Sequence, residues 1–79
     1  MQRWEYLVVI TRNETILAAN GQELGSVGFL GGTQGPAIHE YLNMCGAEGW
    51  EVVGMSPSTQ RGEHGGTINI TIILKRPKS

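Results

Sequence analysis

The densest candidate chemistry lies between Gly25 and Pro36, where GSVGFLGGTQG places five glycines in eleven residues directly before the proline that opens a predicted helix. A helix N-terminus offers free N–H groups and the positive end of the macrodipole, so Gly31, Gly32, Thr33, Gln34 and Gly35 are candidate contacts for a small anionic metabolite or nucleotide. Neither Gly-Lys-Ser nor Gly-Lys-Thr follows, the glycine spacing is not that of a dinucleotide fingerprint, and Pro36 removes one donor. A plain connection explains the same composition without any ligand.

Nucleophile and base are harder to assemble. His39 and Cys45 are six apart in the sequence, which on a helix turns them about 120° from each other. Cys45 falls on an apolar stripe, where a free thiol is a small buried hydrophobe, and His39 falls outside it. A metal site would have to join one of them to Glu63 or His64, with no ligand-type spacing to support it. The chain has seven acidic residues, all Glu, so a Ser-His-Asp triad is excluded and Glu would have to stand in. Glu40 and Glu48 are too far apart to act as a pair. No catalytic residue, metal or cofactor is therefore expected, and the sequence reads as non-enzymatic.

The elements that would position any site fit one domain of 79 residues. A domain this small buries only about 60% of its unfolded surface, so burial between subunits would add substantially to it. Six Lys and Arg against seven Glu leave a net charge of -1, which makes nucleic acid an unexpected partner. The basic residues Lys75, Arg76 and Lys78 read as a solvated end. A single cysteine fits a reducing compartment. The opening MQRWEYLVVI carries Glu5 and has too short an apolar run for a signal core or a membrane span, so a cytoplasmic location away from membranes is expected.

Trp4 to Thr11 predicts a strand apolar on both faces, with Trp4, Tyr6, Val8 and Ile10 on one and Leu7 and Val9 on the other. Asn20-Gly21 predicts a tight hairpin turn between TILAA and QEL. The glycine-rich segment is expected to be an irregular loop, pinned by Val27, Phe29 and Leu30. Pro36 suits the start of a helix and Gly49 its end, with Ile38, Tyr41, Leu42 and Cys45 forming the buried stripe. Trp50 to Met55 and Thr67 to Lys75 predict two further strands, and Ser58 to Gly66 is expected to be a mobile loop between them.

The stretch LNMCGAEGWEVV from Leu42 to Val53, an opening WEYLVV and a closing ILKRP resemble a small bacterial family known as domain of unknown function 4177. The resemblance implies a short antiparallel sheet crossed by one helix, and brings no catalytic residues with it. The glycine-rich segment has no counterpart in the resemblance.

The expectation is thus an α+β domain: a short antiparallel β-sheet of three to four strands with one α-helix packed across one face. One short helix can cover only one face. Grouping Trp4, Tyr6, Val8 and Ile10 with Trp50, Val52 and the even-numbered residues of the last strand on the helix side leaves Leu7, Val9, Val53, Met55 and Ile73 as the interface of a homo-oligomer. A binding or assembly module with a homo-oligomeric or other protein partner is the first functional reading. A sensor for a small anionic ligand at the glycine-rich loop is the second.

Overall fold

The computed structural model describes residues 2–27, 33–62 and 65–78. Among the described residues, seven strands and one helix run in the order β1 (Trp4–Arg12), β2 (Thr15–Ala19), β3 (Gln22–Glu23), β4 (Ser26–Val27), β5 (Thr33–Gln34), α1 (Ile38–Ala47), β6 (Glu51–Gly62) and β7 (Gly65–Pro77). Five of the strands make one antiparallel sheet of order β3-β2-β1-β7-β6, while β4 and β5 form a separate two-stranded ribbon.

The sheet is larger than the three to four strands expected, for two reasons of turn chemistry. Asn13 takes a positive φ of 55° and folds TILAA back onto β1, so that Arg12 faces Thr15 and Val9 faces Ala19. Asn20 and Gly21, with φ of 48° and 81°, then make the anticipated tight turn into β3. The segment between β6 and β7 also departs from the expected loop, because pairing continues from Glu51 opposite Lys75 out to Gly62 opposite Gly65. Pro57 is tolerated there because β6 is an edge strand, whose backbone needs donors on one side only. Residues 63–64 lie outside the described residues.

The core occupies the helix side of the sheet. Val9, Ile16, Ala19, Cys45, Ile72 and Leu74 are buried, with Leu7, Leu24, Ile38, Tyr41, Leu42, Trp50 and Ile70 packed around them. The anticipated stripe of α1 therefore supplies the lid. The helix itself begins at Ile38, two residues after Pro36, since the backbone at Pro36 and Ala37 is still bridged to β2: the Ile16 N–H donates to the Pro36 carbonyl at 2.8 Å and the Ile38 N–H to the Glu14 carbonyl at 3.1 Å.

Candidate functional site

Alternation along β1 sends every second side chain to the side of the sheet away from α1. The β1–β7 ladder places Trp4 opposite Pro77, Tyr6 opposite Lys75, Val8 opposite Ile73, Ile10 opposite Thr71 and Arg12 opposite Asn69 on that face. Trp4, Tyr6, Val8, Ile10 and Ile73 are all exposed, at between 38% and 56% of their full area. Together they leave open roughly 400 Å² of apolar surface, the size of patch that on a monomer tends to mark a contact site. At one end the Lys75 ammonium sits 4.0 Å from the Trp4 ring centroid and 3.9 Å from Glu51.

This assignment of faces corrects the expected interface. Val9 has no exposed surface, and Leu7 packs against the same core. The register is the cause: Leu7 pairs with Leu74 and Val9 with Ile72, so these residues share the helix side with the even-numbered β7 isoleucines, and Trp4, Tyr6, Val8 and Ile10 go to the open side. Ile73 does lie on the open face. Val53 is the extra residue of a bulge between Val52 and Gly54, and Met55 pairs with core-facing Ile72 at the edge of the sheet; both are exposed. A signal for the true phase was present in the sequence, since pairing Glu5 with Arg76 as opposite charges brings Leu7 and Val9 into line with Leu74 and Ile72.

The helix-to-strand joint explains GAEGW. The Trp50 N–H donates to the Cys45 carbonyl and the Gly49 N–H to the Gly46 carbonyl, each at 3.0 Å, which is the Schellman arrangement with Gly49 at φ 93°. Trp50 is thereby delivered onto the core beside Cys45. Arg76 locks the joint from β7: its guanidinium lies 4.3 Å from the Trp50 ring centroid, pairs with Glu5, and donates at 3.0 Å to the Glu48 carbonyl at the negative end of the helix. Thus the opening strand, the joint and the closing Lys-Arg meet at one point.

The model of the family described as domain of unknown function (DUF4177) matches residues 4–77. The chain belongs to this family. No curated protein and no solved structure matches it.

In this DUF4177 domain the described ends of the glycine-rich segment pair with each other. Ser26 pairs with Gln34 and Val27 with Thr33, and the Thr33 hydroxyl lies 3.0 Å from that of Thr15. A Cβ at Gly25 would come within 2.4 Å of the Ile16 carbonyl oxygen and 2.6 Å of the Gln34 carbonyl oxygen, so glycine here permits two backbones to touch. Of the anion-binding candidates, Thr33, Gln34 and Gly35 belong to this ribbon and its exit, while Gly31 and Gly32, like Phe29 and Leu30, lie outside the described residues. The first turn of α1 has no side-chain cap. However, the Ile38 N–H is already given to Glu14, and Glu40 adds a carboxylate to that turn.

Cys45 is buried in the core. Burial pushes its thiol above the ordinary value, against a hydrogen bond with Tyr41 that works the other way, and Glu48 adds to the rise. Burial likewise raises Tyr41. The thiol is held protonated, which is the opposite of an activated nucleophile. His39 is exposed at the other end of the helix. Glu63 and His64 lie outside the described residues; among the described residues no three His, Cys or acidic side chains gather as metal ligands. No helix there is long and apolar enough to cross a membrane.

Proposed function

We propose that this domain is a non-catalytic assembly module that forms a homo-oligomer through the open face of its sheet. The observation that carries the reading is the uncovered row of Trp4, Tyr6, Val8, Ile10 and Ile73. A homodimer interface of standard size buries about 800 Å² per partner, of which about 500 Å² is apolar, and the open face offers nearly that amount.

The edges of the sheet support a face-on contact over strand addition. The β6 edge is broken by the bulge at Val53 and by Pro57, and β3 is only two residues long. Where β1 runs beyond β2, the Asn20 side chain accepts from the Val8 N–H at 2.7 Å and donates to the Tyr6 carbonyl at 3.3 Å, filling the edge. A second copy is the fitting occupant of the open face, because a self-complementary apolar patch closes as a symmetric pair.

Size-exclusion chromatography with light scattering tests the reading. A multiple of 8.6 kDa at micromolar protein is the expected result, and a monomeric mass would refute it. Ile73→Lys should return the protein to a monomer with its circular dichroism unchanged. The rival reading, a sensor for an anionic metabolite at the glycine-rich segment, predicts a rise in melting temperature with nucleotides or phosphorylated metabolites; assembly alone predicts none.

A further inference from the structure

We propose that the hollow bounded by Asn13, Glu14, Thr15, Thr33, Ile68 and Ile70 binds a small organic cation, a primary amine carried on a short apolar body. The hollow lies on the helix side of the sheet, where Ile70 packs against the core and Ile68, two residues away on the same face, is left 48% exposed. It is thus on the opposite side from the open face, and the inference stands independently of the assembly reading. Its volume of about 470 Å³ is that of a small-ligand site.

Hydrogen bonds fix the walls. The Asn13 N–H donates to the Ile68 carbonyl at 2.7 Å and the Asn13 side-chain oxygen accepts from the Ile68 N–H at 3.2 Å, which ties the β1–β2 turn to β7. The Thr15 and Thr33 hydroxyls, 3.0 Å apart, tie β2 to β5. The Glu14 carbonyl accepts from the Ile38 N–H at 3.1 Å, so the backbone of Glu14 is anchored at the start of α1 while its side chain borders the hollow. A site formed in advance loses little to ordering when a ligand enters. The lining then selects the ligand. Ile68 and Ile70 supply an apolar floor. Among the described residues that line the hollow, Glu14 is the one charged side chain, and it takes part in neither of the ion pairs described. The threonine pair uses one hydroxyl proton between its two oxygens, so lone pairs remain to accept from a ligand. A carboxylate beside hydroxyl oxygens suits an ammonium group, whereas a carboxylate or phosphate would meet Glu14 as a like charge. The apolar body of the amine covers the exposed isoleucine.

Amide NMR of the full chain, titrated with n-hexylamine and with n-hexanol and hexanoate as its neutral and anionic counterparts, tests the proposal. Saturable shifts centred on Asn13, Glu14, Thr15, Ile68 and Ile70 are expected with the amine, with affinity about tenfold lower for the alcohol and no response to hexanoate. Glu14→Gln keeps the backbone bond to Ile38 and should bind the amine no better than the alcohol. Ile68→Ser, at an exposed position, should weaken amine and alcohol alike while the preference between them persists. Equal affinity for amine and alcohol in the wild type, an undiminished amine response in Glu14→Gln, or an unchanged affinity in Ile68→Ser would overturn the proposal. So would the lack of any saturable response, or shifts spread equally over exposed carboxylates such as Glu23 and Glu40. Shifts centred instead on Ile38 and Leu42, which border a neighbouring hollow on the other side of Glu14, would overturn it too. None of these outcomes bears on the oligomeric state, so this proposal and the assembly reading fail separately.

Discussion

The two faces of the β1–β7 pair are built from alternate residues of the same strands, yet they have opposite fates. On one, Leu7, Val9, Ile72 and Leu74 lie under α1; on the other, Tyr6, Val8, Ile10 and Ile73 meet solvent. Both sets are apolar, but on the open face Tyr6 and Ile10 are opposed by Lys75 and Thr71, whereas Leu7 and Val9 are opposed by Leu74 and Ile72. The ends add to this difference. Gly49 and Trp50 bring the chain from the helix onto one side, and Arg76 pairs with Glu5 on that same side. A strand apolar on both faces is a strand that needs two covers, and the described residues supply one.

The largest expected effect tests the covered face. Ile72→Ala should cost about 2–5 kcal/mol, because Ile72 is fully enclosed and the cavity it leaves is lined by rigid strand and helix atoms. Denaturant unfolding followed by tryptophan fluorescence measures it, and a cost under about 1 kcal/mol would show that the helix side is not the core.

Next comes the joint that chose the side. Arg76→Ala removes the Glu5 pair, the bond to the Glu48 carbonyl and the stack on Trp50. A loss of about 1–3 kcal/mol is expected, discounted for an arginine that keeps a third of its side chain exposed. Arg76→Lys should recover only part of it, since an ammonium cannot make a planar fork and a stack together. Full recovery by lysine would mean that charge alone matters. Gly49→Ala is milder, at about 1 kcal/mol, because a Cβ there meets no atom and the cost is that of the positive φ alone.

Period-two patterning made the strands legible, and Pro36 and Gly49 bracketed the helix to within two residues. The phase between strands was not legible from either pattern taken singly. Each strand has its own alternation, and only register relates one to another. Register here is set by a turn at Asn13-Glu14 that carries no glycine and by bulges at Ile10/Thr11 and Val53, features that periodicity does not announce. The glycine-rich segment misled for a related reason. Its composition reads as freedom, whereas Gly25 is there because two backbones pass too close for any side chain.

The smallest stability effect gives the sharpest test of the contrast, because Val8 and Val9 are the same residue on successive positions of one strand. Val9 has no exposed surface and Val8 keeps 38%. Val9→Thr buries a hydroxyl among Ile16, Ile72 and Leu74, at a cost of about 1–3 kcal/mol. Val8→Thr places the same hydroxyl on the open face, where in dilute monomer water satisfies it and β-propensity is retained, so the change should stay within about 0.5 kcal/mol. At higher concentration the ranking acquires a second dimension. If a partner covers Val8, the wild-type melting temperature rises with protein concentration by mass action, and Val8→Thr flattens that rise while Val9→Thr lowers the whole curve without changing its slope. Melting curves over a hundredfold range of concentration separate the two. A wild-type midpoint independent of concentration, with Val8→Thr as damaging as Val9→Thr, would mean that both faces are closed within a single chain.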